Sequence, residues 1–236
     1  MIVNYGLLAL ILGSVMVLSV VLKKLTLLGA LTGGLIGLGV YAGAGFIGIG
    51  WLGAFFILGI AATAHKQQWK ETAGVADKKE RVRTAGQVLA NGGAAGLLGF
   101  ATLLTPQHAT TLQVMMAASL ASATADTISS ELGVVYGRRF YNIRTFQKDK
   151  RGLDGVISWE GTLLGIGGSV LIALLYAVVF GMTINVLWIV IAGTIGNLSD
   201  SYLGATLERS HRLNNNGVNF LNTLIAALVA GLLLLF

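Results

Sequence analysis

Ser122-Ala-Thr-Ala-Asp126-Thr-Ile-Ser-Ser-Glu131-Leu-Gly133 closes an apolar run that begins at Leu112. The run is long enough to cross a bilayer, yet its last third carries two carboxylates and five hydroxyls: Ser122, Thr124, Thr127, Ser129 and Ser130. A carboxylate placed within a membrane helix costs about 2.5–3.5 kcal/mol on insertion scales, so it marks a functional site by default. Two readings follow at once. The chain is a membrane protein, and its chemistry is organised around Asp126.

Composition agrees with the first reading. Of 236 residues, 55% are hydrophobic and 11% are charged, with a mean hydropathy of +0.78. A soluble domain carries about 25% charged residues. Apolar runs fall near residues 3–22, 25–42, 46–64, 84–104, 111–135, 158–180, 184–206 and 217–236. Each can span a hydrocarbon core about 30 Å thick. The expected fold is therefore all-α: a polytopic transmembrane helical bundle of about eight helices, forming a single integral-membrane domain over residues 1–236. The first run lacks a basic leader and its positive charges follow it, so it reads as a span rather than a cleavable signal.

The 16 Lys and Arg residues all lie in alternate connections. Lys23 and Lys24 follow the first run, and six basic residues separate the third run from the fourth. Arg138, Arg139, Arg144, Lys148, Lys150 and Arg151 separate the fifth from the sixth, and Arg209 and Arg212 the seventh from the eighth. Eight spans place every one of them on one side, expected to be the cytoplasmic side of the cell membrane, with both termini outside. The opposite side carries no charged side chain, so the chemistry is expected on the basic side. The net charge of +6 fits anionic headgroups or an anionic substrate rather than nucleic acid. There are no cysteines, which excludes disulfides and thiolate metal sites, and the three histidines have no ligand spacing.

Asp126 has a counterpart. Ala125-Asp126-Thr127 with Leu132-Gly133 is echoed by Ser199-Asp200-Ser201 with Leu203-Gly204, at an offset of 74 residues; Thr84 and Ser158, near the starts of the preceding runs, show the same offset. The pattern reads as a duplicated helix hairpin, the kind of repeat that places a site at its own interface. Counted from the outer ends of their helices, both aspartates lie roughly 22–24 Å in, at one depth. Asn91, Asn219 and Asn222 fall at a similar level. GxxxG spacings at Gly29/Gly33/Gly37, Gly92/Gly96 and Gly161/Gly165 read as close-packing faces.

Hard oxygen donors near phosphate-neutralising bases suit Mg²⁺, which often takes one or two carboxylates plus substrate phosphates. That chemistry is phosphoryl or nucleotidyl transfer to a lipid-borne substrate. No Walker A or kinase-type glycine loop is present, which excludes the soluble nucleotide-binding folds. An ion-coupled transporter is the rival from another class, since paired acidic repeats also serve ion coupling. A scaffold protein would carry the buried carboxylates at a cost without a use.

Several pieces together resemble the integral-membrane family that includes phytyl-phosphate kinase of the tocopherol pathway. They are Arg83 with Gln87-Val-Leu-Ala-Asn91-Gly-Gly, Ala125-Asp-Thr with Ser130-Glu-Leu-Gly133, Gly152-Leu-Asp-Gly-Val-Ile-Ser158 with Gly161-Thr162, Asp200-Ser-Tyr-Leu-Gly-Ala205, and Asn215-Asn-Gly-Val-Asn219. The resemblance covers roughly residues 20–236; one departure is Val156-Ile157, where a second glycine is expected. It implies a CTP-dependent kinase that converts a prenyl monophosphate, of phytyl or geranylgeranyl type, to the diphosphate. It is distantly similar to the CTP-using cytidylyltransferases of lipid phosphates, which supply an alternative reaction. On this reading Asp126, Asp200 and Glu131 hold Mg²⁺ and are the catalytic set. Asn91, Asn216 and Asn219 bind phosphate or nucleotide, as does Asp154 in its loop. Arg138, Arg139 and Lys150 meet the triphosphate of CTP or another nucleoside triphosphate. Ser158 and Thr162 cap phosphate oxygens at a helix N-terminus.

Overall fold

The computed structural model describes residues 4–75 and 82–236; the charged stretch Lys78-Lys79-Glu80-Arg81 lies outside the described residues. The architecture is a helical bundle: α1 (Tyr5–Val21), α2 (Leu27–Ala64), α3 (Gln67–Thr72), α4 (Ala85–Leu104), α5 (Ala109–Tyr136), α6 (Trp159–Phe180), α7 (Ile184–Leu203) and α8 (Asn215–Leu233). Among the described residues, five stretches are long and apolar enough to cross a membrane: α2, α4, α6, α7 with the turn that follows it, and α8.

Each of the eight expected apolar runs is a helix or a helix arm, because α2 contains two of them. Its 38 residues would reach about 57 Å if straight, nearly twice the hydrocarbon thickness. Gly45 breaks it at φ 63°, ψ −149°. The break turns the helix back on itself, so that Gly29 near one end and Gly59 near the other both face Arg83. The two arms, residues 27–44 and 46–64, are therefore separate crossings.

Helix starts on the basic side are capped by the residues the sequence supplies there. Thr26 accepts from Gly29 N, Ser158 from Gly161 N and Asn214 from Gly217 N. Thr84 makes a full capping box with Gln87. Thr84 and Ser158, the pair 74 residues apart, thus play the same part at the starts of α4 and α6.

Helix α5 is the axis of the bundle. It packs against α2, α4, α6, α7 and α8. Met116, Ala117, Ala118, Ser119, Leu120, Ala121, Ser122, Ala123 and Ala125 are fully enclosed. Gly165 and Gly168 of α6 lie on Ala125 and Thr124, while Gly193 and Gly196 of α7 lie on Ala121 and Ser122. This enclosure explains how α5 carries so many hydroxyls yet is not among the five most apolar crossings. Its polar groups meet protein rather than lipid: Ser122 Oγ donates to Asn222 Oδ1 (3.0 Å), and Ser129 Oγ to Asn197 Oδ1 (2.9 Å).

The two long connections hold more structure than their composition implies. Residues 65–75 contain α3, whose Lys70 is fully buried. Residues 137–157 contain a small antiparallel hairpin, β1 (Tyr141–Asn142) with β2 (Val156–Ile157). Arg209 pins that hairpin to the end of α7 through Asp154 O (2.7 Å) and Asp149 Oδ2 (2.9 Å). Two donors, Lys150 N–H (2.7 Å) and the Arg209 guanidinium, hold the Asp149 carboxyl below its ordinary pKa.

Candidate active site

At the basic end of the bundle, α2, α4, α5, α6, α7, α8 and the 137–157 connection enclose a cavity of about 460 Å³. Asp126 and Asp200 line it, and their carboxyls meet within hydrogen-bonding distance of each other. Asp200 Oδ2 also accepts from Asn222 Nδ2 (2.6 Å), and Asn222 accepts from Ser122. A polar chain therefore runs from the centre of α5 through α8 to α7 and back to α5, fixing both aspartates in rotation about their helices. The depth and repeat argument is met in space: the two matched motifs converge on one point.

Two touching carboxylates repel unless a proton or a cation lies between them. No cluster of three or more His, Asp or Glu side chains with ligand spacing occurs among the described residues. The donor set is thus two carboxylates with open space beside them, which suits a hard divalent cation that completes its shell with phosphate oxygens and water.

Asn91, Glu131, Asp154, Ser158, Thr162 and Asn219 also line the cavity. Their engagements differ from a simple ligand shell. Ser158 Oγ is taken up by its own helix cap, and Thr162 Oγ1 donates to Ser158 O (3.1 Å). Glu131 receives Lys70 Nζ at 2.5 Å, and the same ammonium donates to Ala62 O (3.2 Å) and Thr63 O (2.8 Å). Lys70 thereby fastens α3 and the end of α2 to α5. Asn91 Nδ2 donates to Gln87 O (3.0 Å), but its Oδ1 is buried with no partner among the described residues.

Four expected residues lie elsewhere. Arg138 and Arg139 are exposed and do not line the cavity. Gly137 ends α5 in an extended conformation, and the chain leaves the helix axis there. Lys150 is exposed beside Asp149. Asn216 sits about 100° around α8 from Asn215 and points at Gly86 of α4; Asn215, with Asn219 one turn on, lines the cavity instead.

Among the described residues, the cation that does face the cavity is Arg83. Its backbone is clamped on both sides: Arg83 N donates to Lys24 O (3.0 Å), and Thr26 N to Arg83 O (3.1 Å). Its guanidinium lies over the Phe55 ring (5.5 Å) in space left by the missing side chain of Gly59. It makes no ion pair with a described residue. Burial draws its pKa down, while Glu131 and Asp126 draw it back up. An arginine stays charged under such opposing effects.

The backbone of the 137–157 connection closes the cavity over Gly152–Ile157. Gly155 has φ +69° and sits so tightly on α7 that a Cβ there would fall 2.5 Å from Ser201 O and collide with Ala205. Gly155→Ala is expected to detach the loop from α7 and cut turnover at least about tenfold, with rapid proteolysis between residues 140 and 155 as the check. The Lys70–Glu131 pair gives a second expectation. Lys70→Met leaves a carboxylate and two carbonyls without their donor and should cost about 3–5 kcal/mol of stability. The double variant Lys70→Met/Glu131→Gln should recover part of that loss in thermal melts.

Sequence comparison places the chain in context. The family described as Integral membrane protein DUF92 matches residues 10–227. Protein VTE6, chloroplastic, of Arabidopsis thaliana is 32% identical over 197 residues, covering 80% of this chain and 58% of VTE6. This chain thus spans less than two thirds of that relative. Uncharacterized membrane proteins of Methanocaldococcus jannaschii and Synechocystis sp. are 35% and 33% identical, over 76% and 77% of this chain and 73% and 74% of theirs. No solved structure matches.

Proposed function

We propose, from the premise that this chain belongs to the DUF92 family of integral membrane proteins, that it is a CTP-dependent kinase acting on a prenyl monophosphate at the cytoplasmic face of the cell membrane. The observation that carries this reading is the meeting of Asp126 and Asp200 in a polar cavity at the basic end of the bundle. Asp126 and Asp200 would hold Mg²⁺, which when bound neutralises charge on the transferring phosphoryl group. An oxygen of the prenyl phosphate attacks the γ-phosphorus of CTP. The bond from that phosphorus to the β–γ bridging oxygen breaks, CDP leaves, and the lipid becomes a diphosphate. Arg83 offers its fork of donors to the acceptor phosphate. Glu131 is assigned to Lys70, and holds the α3 segment against the cavity rather than taking a place on the metal. Asn215 and Asn219 line the α8 wall where the nucleotide would lie.

The 137–157 connection supports the nucleotide side of this arrangement through its backbone. Its exposed Arg138, Arg139 and Lys150 serve the membrane surface and the approach of an anion instead. The same site chemistry could break the α–β bond of CTP, and the products separate the two reactions. Purified protein in lipid nanodiscs, given Mg²⁺, labelled CTP and geranylgeranyl or phytyl monophosphate, is expected to release CDP and a prenyl diphosphate. Release of pyrophosphate with formation of a CDP-lipid would make it a cytidylyltransferase. No turnover on any prenyl phosphate, with ion flux across the bilayer, would make it a transporter.

A further inference from the structure

A second cavity, of about 110 Å³, lies between α1, both arms of α2 and α4. Its walls are apolar, with Leu12 and Met16 from α1, Leu52 and Phe56 from α2, and Val88 from α4. Its polar residues are Arg83, Gln87 and Asn91, and these same three line the large polar cavity. One short polar wall therefore separates an apolar groove from the aspartate pair.

We propose that this groove holds the hydrocarbon chain of the phosphorylated lipid, with its phosphate seated on Arg83 and Asn91 at the junction. The proposal rests on the kinase reading above and adds where the lipid lies and what head it carries. Three observations commit the groove to this occupant. Its walls reject water, whereas its inner end is a guanidinium without an ion-pair partner among the described residues, so the ligand must be apolar at one end and anionic at the other. Asn91, 7% exposed, presents a buried carbonyl oxygen with no partner among the described residues. A phosphate monoester can donate P–O–H to that oxygen, and a phosphodiester headgroup cannot. The groove is also narrow. Met16 lies against Gly34 and Leu12 against Gly37, which brings α1 down on α2 and keeps the groove to about 110 Å³.

Gly53 supplies the test, because it lines the groove and a Cβ there meets nothing within 4 Å. Gly53→Leu brings a branched apolar side chain into the groove from a position where its first carbon is free. Gly50 has the same freedom, is exposed and lies outside the groove, so Gly50→Leu is the matched control. The probe is geranylgeranyl monophosphate with a diazirine at its far end, photolysed with the full-length protein in nanodiscs without nucleotide. Adducts are expected on α1 and on the 46–64 arm of α2. Gly53→Leu should lower labelling at least about tenfold, the effect of excluding two methylenes from an apolar site. Gly50→Leu should label like the parent. The alcohol analogue lacking phosphate should compete poorly. Adducts mapped to α6, α7 or α8 in the unsubstituted protein, or equal labelling of Gly53→Leu, would overturn the groove even if kinase activity is found. Labelling of the groove with no transfer from CTP to the same lipid would sink the kinase reading and leave the groove standing.

Discussion

Asp126→Asn and Asp200→Asn are each expected to lower phosphoryl transfer on the order of 10³-fold, the scale on which loss of one positioned electrostatic group is felt. The two carboxyls touch, so they act as one donor set. The double variant should then be scarcely slower than either single one, since groups that work as a unit are strongly non-additive. Folded yield should hold. Asparagine keeps the volume; at position 200 its carbonyl can still accept from Asn222, and at either position its amide can donate to the remaining aspartate. It also removes a charge that is costly at this depth. Raising Mg²⁺ should restore part of the activity of either single variant. Steady-state rates beside melting temperatures in detergent decide the matter. Near-normal rates with lowered melting temperatures would make the pair a register device.

Arg83→Gln is the second large effect. Turnover on prenyl monophosphate should fall by about 10²–10³-fold, with the apparent KM for the lipid rising and that for CTP little changed. The backbone contacts of Arg83 to Lys24 and Thr26 do not depend on its side chain, so the fold should survive the change. Arg83→Lys should recover only a fraction, because a point charge cannot replace a planar fork at a phosphate. Gly59→Ala offers an independent check. Its methyl would stand 2.7 Å from a guanidinium nitrogen and push the arginine off Phe55 without touching the aspartates. An unchanged lipid KM in both Arg83→Gln and Gly59→Ala would remove Arg83 from the site.

The features legible in the sequence were those written as pattern against a uniform background. Asp126 and Asp200 stand out because a charge in an apolar run has a known cost, and their matched flanks pointed to convergence. Thr84 and Ser158 were legible as an offset, and became helix caps. Gly45 falls in the short gap between the second and third apolar runs, where a turn was expected. Lys70, and the role of Arg83, which the sequence showed only as part of a motif, were hidden for the opposite reason. Each lies in a connection already rich in basic residues, where one cation looks like another and all are explained by topology. What singles them out is tertiary: a backbone clamp and the gap at Gly59 for Arg83, and two helix-end carbonyls with Glu131 for Lys70. Arg138 and Arg139 mislead in the same way, since adjacency to the Asp126 helix does not survive the turn at Gly137. Asn216 and Asn215 differ by one step around α8, a distinction that composition does not carry.

The enclosure of α5 also has a consequence for biosynthesis. A segment bearing Asp126, Glu131 and five hydroxyls partitions poorly into lipid when it emerges from the ribosome. Its shelter on one side comes from α2 and α4, which are made before it, but α6, α7 and α8 are made after it. The nascent helix must therefore be held by its earlier neighbours, or by the insertion machinery, through the synthesis of nearly half the chain. Chains cut short after α5 would present its carboxylates to lipid and become substrates for membrane quality control. The helix that centres the chemistry is thus the one whose insertion depends most on the rest of the chain.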